Sequence, residues 1–112
     1  SRRLELAARI NKAAAENARS AIEIQELAAR LADELSSSKK VIDFARATTE
    51  VLRMSVKLLK LSLEMLEEAA RQDGRSEEVR YLAEESKKIL EEARKALEDA
   101  DRLTKRIEEE GS

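Results

Sequence analysis

The side chains that carry most acid–base and covalent chemistry are missing from this chain. Its 112 residues include no histidine and no cysteine, so neither a His/Cys metal site nor a Ser-His or Cys-His pair can be assembled. The di-metal carboxylate sites of helical bundles need Glu-x-x-His and cannot be completed. Its two glycines, Gly74 and Gly111, cannot build a phosphate-cradling loop. Acidic pairs such as Glu67-Glu68 and Glu91-Glu92 read as ordinary helix-surface charge. No catalytic residue, cofactor or metal ligand is expected, and the chain is not expected to be an enzyme.

What remains is a set of hydroxyls and amides at helical spacing. Val41, Thr48, Ser55, Ser62 and Ala69 recur every seven residues, with Thr49 beside them, on the side opposite the charge. Asn11, Asn17 and Gln25 also occupy positions where an aliphatic is expected, and Ser20 and Ser86 are further polar residues they can pair with. Three kinds of chemistry fit such residues. They can pair in hydrogen-bonded layers that fix helix register and partner number. Each hydroxyl can instead bond the carbonyl one turn back in its own helix. Or they can line a cavity for a small ligand. An unpaired buried amide costs about 1–3 kcal/mol, which favours pairing for Asn11, Asn17 and Gln25.

The elements that must position these groups are long helices. The charged fraction is 41%, both signs are interleaved, the net charge is −2, and Phe44 and Tyr81 are the only aromatics. Such a composition is typical of extended helices and coiled coils. It presents neither the basic face with stacking aromatics that nucleic acid requires nor a field attractive to anionic membranes. Arg2, Glu5 and Arg9 interrupt any apolar run at the start, so no signal peptide is expected. Charges every three or four residues argue against a spanning helix.

Ser36-Ser37-Ser38 and Asp73-Gly74-Arg75-Ser76 divide the chain into three segments, predicting helices over about 2–35, 39–72 and 76–110. Ser38 and Ser76 are the expected N-caps, and Gly74 the expected left-handed closing residue. Connections this short force antiparallel neighbours. The fold class is therefore all-α: one domain over 1–112, an up-down-up three-helix bundle with coiled-coil-like packing. Asp33 and Glu34 end one helix, and Lys39 and Lys40 begin the next, each against its own helix dipole; side by side they are expected to compensate one another.

The third segment has an ordinary one-sided apolar face, built on Val79, Leu82, Ser86, Ile89, Ala93, Ala96, Ala100 and Leu103. The first two do not. Each confines its charge to two adjacent columns, as in Lys39, Arg46, Arg53, Lys60, Glu67 and Asp43, Glu50, Lys57, Glu64, Arg71. That leaves more apolar circumference than a lone bundle can hide. If the acidic edge of the third helix (Glu85, Glu92, Asp99) lies along the second helix and Asp101 near Arg30, the uncovered residues are predictable. They are Leu4, Ala8, Ala15, Ala18, Ile22 and Ala29 on the first helix. On the second they are Phe44, Ala47, Val51, Met54, Leu58, Leu61 and Met65. Soluble monomers rarely expose so long an apolar patch, so a homo-oligomer is expected, a two-fold dimer ahead of a trimer. Alanine chosen only for helix propensity is the plainer explanation, and Met54, Leu58 and Leu61 are too large for it.

The near-equal segments, minimal connections, strict heptad charge columns and the run from Glu84 to Ala93 (EESKKILEEA) resemble computationally designed helical bundles. The terminal Gly111-Ser112 resembles a cloning scar. That resemblance implies an assembly module with buried hydrogen-bond networks and no evolved biochemical role. Alternatively, it implies a three-helix host for a separately supplied helix or partner chain. A small-ligand-binding bundle is a further alternative.

Overall fold

In the computed structural model, which describes residues 1–110, the chain forms α1 (Arg2–Glu34), α2 (Lys39–Asp73) and α3 (Glu77–Glu110). Gly111-Ser112 lies outside the described residues. All three helices pack against one another in an up-down-up rod 55 Å long and 18 by 17 Å across. Among the described residues no helix is long and apolar enough to cross a membrane.

Serine hydroxyls begin every helix. Ser38 accepts from the Val41 amide and Ser76 from the Val79 amide, as the sequence predicts. Ser1 does the same for Leu4. Gly74 ends α2 with its amide on the Ala70 carbonyl at 2.9 Å. Its φ of 97° is positive as expected, but its ψ of 153° places it in the extended region open essentially to glycine alone, not in the left-handed helical well.

The charges at the first connection compensate differently from the expectation. Lys39 pairs with Asp43 one turn along its own helix, and Asp33 pairs across to Arg106 of α3.

The core falls into three apolar segments along the rod. Ala7, Ala8, Leu66, Ala70, Val79 and Leu82 fill one end. Ala18, Ala21, Ile22, Leu52, Leu59, Ile89, Ala93 and Ala96 fill the middle. Ala28, Ala32, Ala45 and Leu103 fill the other end. α1 contributes mostly alanine, which presents low ridges and lets α2 and α3 approach closely; the volume comes from leucines of α2. Each fully buried leucine contributes about 1.5–3 kcal/mol, so Leu52, Leu59 and Leu66, all wholly inaccessible, are the anchors of the fold.

Candidate interaction face and polar layers

The apolar segments are separated by two polar layers. In the first, Asn11 of α1, Ser62 of α2 and Ser86 of α3 meet at the centre of the bundle. The Asn11 Nδ2 donates to Ser86 Oγ at 3.0 Å and Ser62 Oγ at 3.2 Å. Ser86 Oγ donates back to Asn11 Oδ1 at 3.2 Å. Ser62, having accepted from Asn11, donates its own proton to the Leu59 carbonyl at 2.8 Å.

In the second layer, Gln25 Oε1 accepts from Thr48 Oγ1 at 2.7 Å and Thr49 Oγ1 at 3.0 Å. Both threonine hydroxyls also lie within hydrogen-bond distance of the Ala45 carbonyl. A hydroxyl has one proton, so each threonine shares it between the amide and its own helix. Pairing between helices and back-bonding within a helix, separate possibilities in the sequence, thus operate together. No fully buried side-chain nitrogen or oxygen among the described residues lacks a partner. On the α2–α3 side of the second layer the free space is about 10 Å³, room for a single water molecule; on the α1–α3 side an open groove of about 450 Å³ reaches Gln25 between Glu26, Arg30, Glu92 and Asp99.

Of the nine polar residues expected inside, Asn11, Gln25, Thr48, Thr49, Ser55, Ser62 and Ser86 are buried, while Asn17 and Ser20 are exposed. The layers form within one chain, so they set the register of the three helices.

The outward face also differs from the expectation, and the two corrections have one cause. On α2 the expected residues are outside: Phe44 (56% exposed), Val51, Met54 (58%), Leu58, Leu61 and Met65, with Ala47 among them. On α1 they are not. Ala8, Ala18 and Ile22 are buried within the chain, and Leu4, Ala15 and Ala29 are half-buried against its core. α1 is rotated so that its Leu4–Asn11–Ala18–Gln25 side faces the centre. Its outward side carries Leu6, Ile10, Ile24, Leu27 (54% exposed) and Leu31, with Asn17 and Ser20 between them.

The ion pairs show the same rotation. Glu85 pairs with Arg19 of α1, not with α2, and Asp101 pairs with Arg53 of α2, not with Arg30. Two requirements select this orientation. The alanine-rich side of α1 admits α3 at short range, and only that side brings Asn11 and Gln25 within reach of hydroxyls. The signal was present in the sequence, since Leu6, Ile10, Ala13, Asn17, Ser20, Ile24, Leu27 and Leu31 follow alternating steps of four and three residues. That is the spacing of a coiled-coil seam, matched on α2 by Phe44, Ala47, Val51, Met54, Leu58, Leu61 and Met65.

Beyond this face, the connection end of the rod holds a polar clamp. Asp73 accepts from Arg3 Nε and Nη2 at 2.9 Å each and from the Ser1 hydroxyl. These hydrogen bonds, from Arg3 first and Ser1 second, hold the Asp73 carboxyl far below the usual carboxylate range. Among the described residues no group of three or more acidic side chains is placed to hold a metal.

Fold and face together define a helical bundle with polar core layers and one uncovered apolar side. Comparisons with protein families, with curated proteins and with solved structures find no match.

Proposed function

We propose that the chain is an assembly module: it catalyses no reaction and self-associates through the outward faces of α1 and α2 into a homo-oligomer. The observation that carries this reading is the uncovered apolar side itself. Eleven of the thirteen exposed large hydrophobics among the described residues belong to α1 and α2; the others are Leu35 in the first connection and Tyr81 of α3. Leaving such a seam in water forfeits burial worth about 25 cal/mol per Å², and it is far longer than the scattered apolar residues of a monomer surface. The two internal polar layers hold α1 and α2 in a fixed register and so present a rigid face. The resemblance to designed bundles supports the same role.

Sedimentation equilibrium tests it. The wild-type chain is expected to associate at micromolar concentration, and Leu58→Glu to be monomeric with unchanged helicity by circular dichroism. A monomeric wild type at high micromolar concentration refutes the proposal. A host for a separate helix is the second reading, favoured by the apolar rows that α1 and α2 expose side by side; it predicts a monomer that titrates with one helical partner.

A further inference from the structure

Resting on the self-association reading, we infer that the partner is one second copy of the chain, related by a two-fold axis parallel to the rod. In that dimer α1 lies antiparallel against the partner's α2, with Asn17 of both copies at the mid-level of the interface. The rod is 55 Å long and 18 Å wide, so one whole side of it spans on the order of 1,000 Å² and has room for the roughly 800 Å² per partner of a stable complex. A single added helix would cover the inner rows, such as Ile24 on α1 and Leu58 on α2, but leave the outer rows, such as Leu27 on α1 and Met54 on α2, in water.

The direction of the axis follows from register and charge. Facing positions of α1 and α2 have residue numbers that add to 73 at both polar layers, Asn11 with Ser62 and Gln25 with Thr48. Rotation about an axis parallel to the rod leaves heights unchanged, so the same relation holds between α1 and the partner's α2. The apolar seams are flanked by charged rims: Arg2, Arg9, Glu16, Glu23, Arg30 on α1 and Asp43, Glu50, Lys57, Glu64, Arg71 on α2.

At equal height Arg9 meets Glu64, Glu16 meets Lys57 and Arg30 meets Asp43. Against these stand Glu23 with Glu50 and Arg2 with Arg71, so three pairs attract and two repel. None of the five α1 rim residues makes an ion pair within the described chain, whereas on the α3 side Lys12, Arg19 and Asp33 each pair with a residue of α3.

The end-over-end alternative stacks α1 on the partner's α1. Because the rim reads plus, minus, minus, plus from Arg9 to Arg30, it then sets arginine on arginine and glutamate on glutamate. Like charges so placed disfavour that arrangement. Asn17 and Ser20 fall at the middle of α1, and with the axis parallel to the rod the two Asn17 residues share one level on diagonal helices that do not pack directly against each other.

Two measurements decide it. In Ala13→Cys/Leu61→Cys the two cysteines sit on opposite outer rows of one chain but at matching height across the dimer. Oxidation is expected to give a covalent dimer on a non-reducing gel, while Asn17→Cys alone stays uncrosslinked. Efficient crosslinking of Asn17→Cys without the Ala13/Leu61 dimer overturns the axis while leaving self-association intact, and a trimer by sedimentation does likewise. The second measurement is charge reversal. Arg9→Glu is expected to weaken dimerisation about tenfold or more at low salt, and Arg9→Glu/Glu64→Arg to recover it. Those two positions lie on opposite edges of one chain, so rescue requires a contact between copies, and its absence counts against the proposed pairing. A wild-type monomer in the same runs removes the underlying reading as well.

Discussion

The Asn11 layer gives the sharpest test of how this core is held together. Ser86→Ala removes one oxygen atom, so it leaves almost no void, but it takes the donor from Asn11 Oδ1 at a position with no solvent access. A bared buried acceptor costs about 1–3 kcal/mol. Asn11→Leu has the converse effect: it orphans the Ser86 hydroxyl, while Ser62 remains satisfied by the Leu59 carbonyl. The expected loss is again about 1–3 kcal/mol, offset in part by added apolar burial. Asn11→Leu/Ser86→Ala leaves no unpaired group, because the only other member of the layer has its own partner. Its stability should return to within about 1 kcal/mol of wild type or exceed it. Guanidinium unfolding followed by circular dichroism, at one fixed protein concentration because association shifts apparent stability, measures all four corners of the cycle. The predicted coupling is about 1–3 kcal/mol, with unchanged denaturant slope. Single effects that add to the double within about 0.5 kcal/mol would refute the claim that these side chains form one interdependent layer.

Gly74→Ala should lower stability by about 1–3 kcal/mol through backbone strain, since no atom lies within 4 Å of an added Cβ; thermal melts measure it, and an unchanged midpoint contradicts the φ of 97°. Asp73 has its carboxyl pulled below its ordinary pKa by Arg3 and Ser1. Its contribution is therefore present above the unfolded-state value of about 3.9 and is lost as pH falls through the lower folded value. Asp73→Asn should reduce the melting temperature at pH 7 and have a smaller effect at pH 2; equal effects at both would show that the clamp acts without its charge. Asn17→Leu should preserve or raise the melting temperature while broadening the distribution of assembled species in sedimentation. A chain that unfolds instead would show that Asn17 serves the fold of a single copy.

Helix number, boundaries, caps and the buried side of α3 were legible because each depends on local rules: serine hydroxyls at free amides, a glycine at positive φ, apolar residues at one period. The outward side of α2 was legible for the same reason, since its charged columns leave no choice of face. α1 was not. Its apolar circumference has two sides able to enter a core, one of alanines with Asn11 and Gln25, the other of Leu6, Ile10, Ile24, Leu27 and Leu31. Side-chain size alone suggests burying the larger ones. The decision belongs to tertiary contacts, because the amides pair only with hydroxyls on α2 and α3, and the alanines alone allow three backbones to converge. Asn17 and Ser20 were misplaced by the same reversal, and so were the ion pairs of Glu85 and Asp101.

The alanine columns of α1 have a mechanical consequence. Ridges of such low relief resist lengthwise slippage weakly, and moving α1 by one heptad along α2 would leave the apolar contacts much as they were. The two amide rungs make that movement unfavourable. After a one-heptad shift one amide would arrive at Ser55 and the other at Val41 or Ala69, abandoned among hydrocarbon at a cost of about 1–3 kcal/mol. The rungs act as detents on an otherwise smooth slide, so shear along the rod should give way at two discrete points.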